Sequence, residues 1–597
     1  MMRVPATHVI PDDRTRARVM FLSLCCLLPL LAFSFFVKLS VLPIRAWDEA
    51  RNANSALEMY LHHHWLVPTY DRMPDMWNTK PPLLIWLQVA AMHLVGVGEL
   101  AVRLPAAVSA LATGLLLWAF CSRWLQRPLT GFLAGAVLAS TVAYVAVHAG
   151  RSGDYDALLT LFLLSYSLSA FCYTETGHRK WIATFWLFAT LAALTKSVAG
   201  LTLFPAVLLF VIAERRFGRL LRDPAVYAGG LGFLVVVSGY YLLREHYNPG
   251  YWNAVLANDI TGRYVEGIGR HSGPFWFYVA FIWIRDPYWF YFLLPAFLVG
   301  IRSGSARIRK VTVFNLIFVV SFLLAISSGK TKLEWYALPV YPFLSLQVGI
   351  LLSTCWERLA AHVPSGALRR LAAAAIVGLV FYVPFAQVAR FVFKSEEDPW
   401  DVELEAQARF LQRSIQEGSD LRNHVFCYRG YNAPANFYIT LLRSRGQMVE
   451  ARDRVGGLAP GMHVVVSQDV LRADLDDTYS LELSGERFGC SVYTLRGLRD
   501  DDGGEHLKVV RATYGANCGA QAGNATTAVQ RECDGRSRCP FEVNFVELGD
   551  PAPGCTKEFD VDWRCDDDAE TRTVKLRAEA GFGSVARLEC KPPRGSS

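Results

Sequence analysis

Two pairs of carboxylates are the residues best suited to chemistry in this sequence. Asp48 and Glu49 are adjacent in AWDEARNANSALEMY, directly after the first long apolar run, and Asp154 and Asp156 lie in RSGDYDALL. A charged carboxylate is unfavourable in hydrocarbon, so these side chains must face water, a cation or a bound substrate. They could act as a general base, hold a divalent metal ion or bind sugar hydroxyls.

The same acidic residues are also typical of helix N-termini. Asp and Glu interact favourably with the helix dipole in the first turn, and Asp156 precedes an apolar helix, where it would be a good N-cap. From the residues alone, a functional and a capping interpretation both stay open.

Several lysines form a second set of candidates. Lys80 lies in NTKPPLLIW, Lys196 in LTKSVAG, and Lys330 and Lys332 in SSGKTKLEWY. A phosphate or pyrophosphate in a low-dielectric site needs several such point charges. A single lysine at a span end more often extends its amine to the membrane surface. Several together favour an anionic, membrane-embedded ligand.

The segment ITGRYVEGIGRHSGPFWFYV is predicted to form a mobile lid over the site, because its glycines permit movement. Alternatively, its aromatic residues anchor it at the membrane interface. The lid or substrate residues expected here are Arg263, Tyr264, Arg270 and His271.

The composition places these residues in a membrane protein. The chain has 597 residues, of which 52% are hydrophobic and 19% charged, and its apolar runs stop near Arg390. Basic residues cluster in alternate loops, as the positive-inside rule requires, provided that the short run from Leu83 to Val97 does not cross the membrane. The sequence therefore predicts about eleven spans plus interfacial helices, with the acidic motifs on the outer side. The formal charge of +7 is dispersed over these loops and does not indicate a nucleic-acid partner.

Beyond Arg390 the pattern becomes that of water-soluble domains. Helical and strand periodicities predict a small α/β domain, and the acidic run from Arg499 to Glu505 resembles a linker. Six of the 13 cysteines lie between Cys518 and Cys590, which indicates a disulfide-stapled β domain in an oxidising compartment. The predicted domains are 1–390 in the membrane, 391–498 as an extracytoplasmic α/β domain and 506–597 as the β domain.

Six motifs in order resemble the GT-C class of polyprenyl-phosphate-dependent glycosyltransferases. The likeness is strongest to the group that includes the lipid A aminoarabinose transferase and bacterial enzymes similar to protein O-mannosyltransferases. It covers roughly residues 19–390. The motifs are WDEARNA, NTKPPLLIW, RSGDYDALLTLF, LTKSVAG, RYVEGIGRHSGPFWFY and SSGKTKLEWYALPVYP.

The resemblance implies roles for the candidate residues. Asp48 would be the catalytic or acceptor-orienting carboxylate with Glu49 beside it, and Asp154 or Asp156 would serve the second acidic loop. Lys80, Lys196 and Lys330 would hold the donor phosphate, and Arg263 and Lys332 are further candidates for that contact. The implied partners are a polyprenyl-phosphate-linked sugar and a lipid, glycan or protein acceptor, on the periplasmic side of a bacterial inner membrane. No cofactor is implied with certainty, although a divalent metal ion could bind.

The last 90 or so residues resemble sea-urchin egg lectins, which bind galactose or rhamnose. VVRATYGANCG, CDGRSRC and LGDPAPGCTKEFDVDWRC carry this likeness. It implies a glycan-binding module, whereas a purely structural β domain is the alternative.

Two other functions fit part of the pattern. A lipid flippase or transporter would also need charges among many spans, but transporters usually place them at the membrane midplane between two similar halves. No internal repeat is evident here. A membrane-anchored glycan receptor would require only one span. An inverting glycosyltransferase is the favoured interpretation.

Overall fold

The computed structural model describes residues 13–146, 148–259, 261, 272–362, 366–394, 399–455, 458–498, 505–552, 554–566 and 569–590. Contacts divide the chain into two compact units, residues 1–397 and 398–597. The four expected lid residues, Arg263, Tyr264, Arg270 and His271, lie outside the described residues.

The first unit is helical, because a backbone in hydrocarbon must satisfy its hydrogen bonds internally. Short strands β1 (Thr69–Tyr70) and β2 (Met73–Pro74) form a hairpin after the second helix. The helices are α1 Asp13–Phe36, α2 Asp48–His62, α3 Leu83–Val95, α4 Glu99–Phe120, α5 Pro128–Ala139, α6 Val142–Val145, α7 Asp156–Thr176, α8 Lys180–Lys196, α9 Phe204–Ala213, α10 Phe217–Arg222, α11 Pro224–Tyr247, α12 Tyr251–Val255, α13 Phe277–Arg285, α14 Pro287–Ile301, α15 Ala306–Ser328, α16 Tyr341–His362 and α17 Ala367–Phe393. A π-helical turn covers Cys121–Leu125, and 3₁₀ turns cover Ser197–Leu201 and Glu334–Val340.

Eight helices of the described chain are long and apolar enough to cross a membrane, and four shorter apolar helices accompany them. Helix α3 is one of the short ones, with 13 residues, which is well below the ~20 that a span needs. The expected multi-pass helical architecture is confirmed, while the count of about eleven spans stays a prediction.

The second unit begins with an α/β layer. Its five-stranded sheet has the order β4-β3-β5-β7-β6, with β3 parallel to both β4 and β5 and the other pairs antiparallel. The helices are α18 Pro399–Glu417, α19 Ala433–Ser444 and α20 Asp469–Thr478, and the strands are β3 His424–Cys427, β4 Glu450–Arg452, β5 His463–Val466, β6 Tyr479–Arg487 and β7 Cys490–Leu498.

A β-rich part follows, and three disulfides cross-link it. The pairs are Cys518–Cys555, Cys533–Cys539 and Cys565–Cys590. This confirms the expected disulfide-rich β region. Its elements are β8 Leu507–Tyr514, a 3₁₀ turn Ala516–Cys518, α21 Thr526–Cys533, β9 Arg538–Asn544, α22 Phe545–Leu548, β10 Phe559–Cys565, β11 Arg572–Leu576 and β12 Phe582–Glu589.

Ion pairs join the α/β layer to the β-rich part within this unit. Arg429 follows β3 and reaches Glu542 at 3.2 Å and Glu532 at 3.4 Å, both in the β-rich part. Arg536 lies 3.3 Å from Asp474 of α20. The two parts therefore share charged contacts as well as a chain connection.

Candidate functional site

Asp48 is the first residue of α2 and presents an exposed carboxylate. The preceding residue, Trp47, has a left-handed backbone (φ 66°), which an L-residue adopts only at a conformational penalty. Carboxylate oxygens of Asp48 and Asp154 and a ring nitrogen of His148 all lie within 4.8 Å of one another. The first acidic motif and the second therefore meet at one point.

Behind Asp48, Asp154 is buried and paired. Its Oδ2 lies 3.0 Å from Nδ1 of His148 and accepts a hydrogen bond of 2.9 Å from the Ser152 hydroxyl. Burial alone would raise the pKa of Asp154, but His148, Ser152 and Lys196 outweigh that effect and lower it. Burial likewise opposes the charge on His148, and the attraction of Asp154 overcomes it and raises the pKa of His148 to about 9.

Close packing fixes the acidic loop that holds Asp154. A Cβ on Gly153 would come 2.5 Å from Cγ1 of Val102, so only glycine fits here. The Gly153 carbonyl accepts hydrogen bonds from the side-chain amides of Gln88 and Asn52, each at 3.1 Å. The glycine of the RSGD motif is thus explained by geometry, since α2, α3 and α4 all contact this loop.

Asp156 opens α7 and forms an ion pair with Lys196, the last residue of α8, at 2.6 Å. Both side chains line a cavity of about 770 Å³ that also includes Lys80. Ser197 follows Lys196 with a left-handed backbone (φ 49°). The expected second aspartate and two of the expected phosphate-binding lysines are thereby brought together.

Lys80 is oriented by polar neighbours. Its amine donates to the side-chain oxygen of Asn78 at 3.2 Å and lies 5.3 Å from the ring centre of Tyr155. The Asn78 amide in turn donates to Asn52 at 3.0 Å and to the Tyr155 hydroxyl at 2.9 Å. This network ties the NTK motif to α2 and to the acidic loop.

The 3₁₀ turn Glu334–Val340 contacts both His148, which lies beside Asp48, and Lys196, which lines the cavity. The ring of Trp335 stacks on His148 with 3.9 Å between centroids, and the ring of Tyr336 lies 5.2 Å from the amine of Lys196. Adjacent aromatic residues thus contact the histidine beside Asp48 and the lysine of the cavity.

Asp259 forms another wall of the cavity. It accepts hydrogen bonds from the hydroxyls of Thr79 at 3.0 Å and Ser197 at 3.3 Å. Ser197 is also 2.6 Å from the Tyr241 hydroxyl. A third carboxylate therefore faces the same space as Lys80 and Lys196.

Glu49 has a different environment from Asp48. Its carboxylate is buried and lies 2.5 Å from Nε of Arg103, whose other nitrogens donate to the carbonyls of Leu39, Leu42 and Pro43. This arrangement anchors the loop between α1 and α2. A catalytic role for Glu49 stays a prediction that the geometry does not favour.

The GKTK motif contributes to the cavity through Gly329 and Thr331 rather than through its lysines. Thr331 lines the cavity, Lys330 is exposed, and the buried amine of Lys332 donates to the carbonyls of Ser327 and Gly329, each at 2.5 Å. Donor binding by Lys330 and Lys332 stays a prediction, as does the role of Arg263.

The donor set of Asp48, His148 and Asp154 could hold a divalent metal ion. Two carboxylates with one imidazole suit a borderline or hard cation. The Nδ1 atom of His148 already lies 3.0 Å from Oδ2 of Asp154, so a metal ion there would displace a proton from His148.

Two functional candidates were not expected from the sequence. His148 lies six residues before Asp154 in VHAGRSGD, and that histidine near an aspartate was the available signal. Asp259 lies outside the motifs that carried the resemblance, and only folding reveals that it faces Lys196 and Lys80.

Residues 79–241 match a family model described as dolichyl-phosphate-mannose-protein mannosyltransferase. That stretch contains Lys80, Asp154, Asp156 and Lys196. Among individual relatives, an undecaprenyl phosphate-alpha-4-amino-4-deoxy-L-arabinose arabinosyl transferase of Proteus mirabilis is 27% identical over 322 residues, covering 53% of this chain and 56% of the relative. The transferase of that name from Aeromonas salmonicida is 29% identical over 338 residues, covering 53% and 58%. The chain spans little more than half the length of these two relatives.

A solved structure extends the likeness in three dimensions. The crystal structure of ArnT from Cupriavidus metallidurans bound to undecaprenyl phosphate superposes with a TM-score of 0.60 at 18% identity, covering 79% of this chain and 97% of that chain. At this identity the match shows a shared fold. The expected GT-C architecture is therefore confirmed, whereas the lectin-like character of residues 506–597 stays a prediction.

Proposed function

We propose that the protein is an inverting glycosyltransferase that moves a monosaccharide from a polyprenyl-phosphate donor to an acceptor. One observation carries the proposal: the exposed carboxylate of Asp48 lies beside Asp154 and His148, next to a cavity that contains Lys80 and Lys196. An acceptor-activating base and cations for a leaving phosphate are the two groups that such a reaction needs.

The cavity suits a lipid-linked phosphate. Besides its charged and hydroxyl-bearing residues, it is lined by apolar side chains, including Leu159, Phe322 and Ile326. The charged side chains of this cavity suit a phosphate, and its apolar side chains suit the prenyl chain joined to that phosphate. The names of the two relatives and the undecaprenyl phosphate bound to ArnT in the similar crystal structure support the same donor class.

The reaction would be a single displacement. Asp48 accepts the proton of an acceptor hydroxyl as the acceptor oxygen attacks the anomeric carbon of the sugar from the face opposite the phosphate. The bond between that carbon and the phosphate oxygen breaks, and Lys80 and Lys196 stabilise the negative charge of the departing polyprenyl phosphate. One bond forms as another breaks on the opposite face, so the anomeric configuration inverts.

A divalent metal ion at Asp48, His148 and Asp154, when bound, would supply positive charge that lowers the pKa of an acceptor hydroxyl. Without a metal ion, a protonated His148 would supply positive charge at the same point, since the attraction of Asp154 raises its pKa.

We place the site on the periplasmic side of a bacterial inner membrane. Nucleotide sugars are absent there, so an activated sugar must arrive on a lipid carrier. In a background without the exposed native cysteines, Ser40→Cys and Ser328→Cys should react with an impermeant thiol reagent from outside. Gly218→Cys and Gly304→Cys, where an added side chain meets nothing within 4 Å, should react only after permeabilisation. The reverse pattern would contradict the orientation.

Residues 506–597 would hold an acceptor glycan near the site, which raises its effective concentration without taking part in the chemistry. Truncation near Glu505 should then leave transfer to a small soluble acceptor close to normal and weaken transfer to the natural polymer. Binding of galactose or rhamnose to the intact oxidised protein, measured before and after truncation, tests this role. A loss of transfer to every acceptor would contradict it.

The transferase itself is tested with purified protein, a synthetic polyprenyl-phosphate sugar and candidate lipid, glycan or protein acceptors. Polyprenyl phosphate should be released only when an acceptor is present, and the product should have the opposite anomeric configuration to the donor. Movement of the intact lipid-linked sugar across a vesicle bilayer, with no release of polyprenyl phosphate, would instead identify a flippase.

A further inference from the structure

A second cavity, of about 540 Å³, lies where the loop after α1 meets the end of α17. None of its lining residues lines the cavity that contains Lys80 and Lys196. Four of them are basic, and the remainder are apolar. The lining residues are Lys38, Leu39, Val41, Leu42, Arg45, Arg103, Arg151, Phe391, Val392 and Phe393.

The positive charge of this cavity is only partly compensated. Arg103 pairs with Glu49. In the part of the chain that the structure describes, no carboxylate lies within 4.0 Å of the charged ends of Lys38, Arg45 or Arg151. Arg151 is partly buried, and burial together with repulsion from Arg103 and Arg45 lowers its pKa to about 10. Repulsion among cations held this close favours an anion between them.

The cavity lies at the boundary between apolar spans and polar loops. The candidate spans Ala17–Phe36 and Ala375–Phe393 both end at it. Arg151 donates to the carbonyls of Ser34 at 3.0 Å and Val37 at 2.7 Å, at the end of α1. The amine of Lys38 lies 4.8 Å from the ring centre of Phe393, at the end of α17. The ends of two spans are where lipid headgroups meet a membrane protein.

We propose that this cavity binds the phosphate of an anionic membrane lipid, with Lys38, Arg45 and Arg151 contacting the headgroup. The guanidinium groups suit a phosphate through paired hydrogen bonds, and Lys38 adds a point charge at the mouth. Val41, Leu42 and the aromatic end of α17 supply apolar surface for the upper part of the acyl chains.

The position favours a lipid over a free phosphate ion as the source of this anion. A site for a soluble ion needs no apolar walls, whereas here more than half of the lining residues are aliphatic or aromatic. The bound lipid would brace the loop between α1 and α2, because Arg103 in the same cavity holds three carbonyls of that loop. The site thus lies beside the loop that precedes Asp48, the first residue of α2, and it takes no part in the transfer.

Native mass spectrometry of the full-length protein tests the proposal. Protein released from detergent micelles that contain phosphatidylglycerol should retain one lipid, and protein from micelles with phosphatidylcholine should retain none. The double variant Lys38→Gln/Arg45→Gln should retain phosphatidylglycerol about thirty-fold more weakly, as expected when two surface cations are removed from a headgroup site. Arg18→Gln, which neutralises an exposed residue near the start of α1, should retain it as the wild type does.

Each alternative outcome overturns the proposal. Retention unchanged in both the double variant and the single variant Lys38→Gln, with both proteins folded by thermal melting, would place the lipid elsewhere. Displacement of the lipid by millimolar inorganic phosphate would identify a site for a free ion. Glu396 and Glu397 follow α17 and lie outside the described residues. If only the variant Glu396→Gln/Glu397→Gln retained lipid, the occupant would be the acidic segment of the chain itself.

Discussion

The two units of the molecule hold their buried charges in different ways. In the membrane unit, the pairs Asp156–Lys196 and Asp154–His148 surround one exposed carboxylate, Asp48. In the C-terminal unit, Arg429 is surrounded by acceptors and reaches Glu532, Glu542 and, at 3.8 Å, Asp474. The first arrangement keeps the carboxylate of Asp48 accessible, whereas in the second each of the three acids contacts Arg429.

In the proposed function, this difference separates the residue that takes part in the reaction from the residues that stabilise the fold. A buried ion pair whose members contact only each other orders the fold, and its loss exposes an uncompensated charge. A carboxylate that stays accessible beside such pairs is positioned without being neutralised. Adjacent residues show both cases, because Asp48 is accessible while Glu49 is enclosed by Arg103.

The largest expected effect is that of Asp48→Asn. The change keeps the volume and removes the basicity, so transfer should fall by about 10² to 10⁴, the usual contribution of a general base. The release of polyprenyl phosphate per folded molecule measures it. Asp71→Asn, at an exposed aspartate in the β1–β2 turn, is the matched control and should turn over normally. Normal turnover by Asp48→Asn would show that Asp48 is not the general base.

Glu49→Gln should act on stability instead. Breaking a buried pair by changing one partner is destabilising by about 3 to 5 kcal/mol, because Arg103 keeps its charge without its carboxylate. Thermal melting should show the loss, and turnover of the molecules that remain folded should be near normal. A stable Glu49→Gln protein without activity would instead make Glu49 the catalytic member of the pair.

Opposite pH dependences should distinguish the two units. Burial and the neighbouring His463 lower the pKa of His424 in β3 to about 4. Its unfolded pKa is about 6.5, so between pH 6.5 and 4 the unfolded state binds more protons than the folded state does. The protein therefore loses stability as the pH falls from 6.5 towards 4. Because His424 is only partly buried, solvent screening reduces the size of this effect. Melting curves of wild type and His424→Asn should therefore converge in acid.

His148 should show the reverse. Its pKa is raised to about 9, so its pairing with Asp154 contributes fully below the unfolded pKa of about 6.5 and is lost as the pH rises through 9. The comparison of wild type with His148→Gln, in a chelator so that no metal ion competes, measures this. Equal pH dependences of the two proteins would show that the pair does not form.

The sequence predicted the parts of the molecule that depend on local pattern. Apolar run length identified the membrane helices and the short helix α3, and cysteine density identified the cross-linked β region. The members of two buried pairs are distant in sequence: Glu49 and Arg103 are 54 residues apart, and Asp156 and Lys196 are 40 apart. Nothing local therefore distinguished Asp48 from Glu49 or indicated that Lys332 bonds backbone carbonyls, whereas His148 lies only six residues before Asp154.

In the proposed reaction, Asp48 acts on the acceptor while Lys196 holds the donor phosphate. Binding of decaprenyl phosphate to purified protein separates these two roles, because the lipid product engages the phosphate site without an acceptor. Asp48→Asn should bind it as tightly as the wild type does. The double variant Asp156→Asn/Lys196→Gln, which leaves no unpaired charge, should stay folded and bind it at least ten-fold more weakly, about the effect of one charge-assisted contact. Weakened binding by Asp48→Asn together with unchanged binding by the double variant would contradict the account.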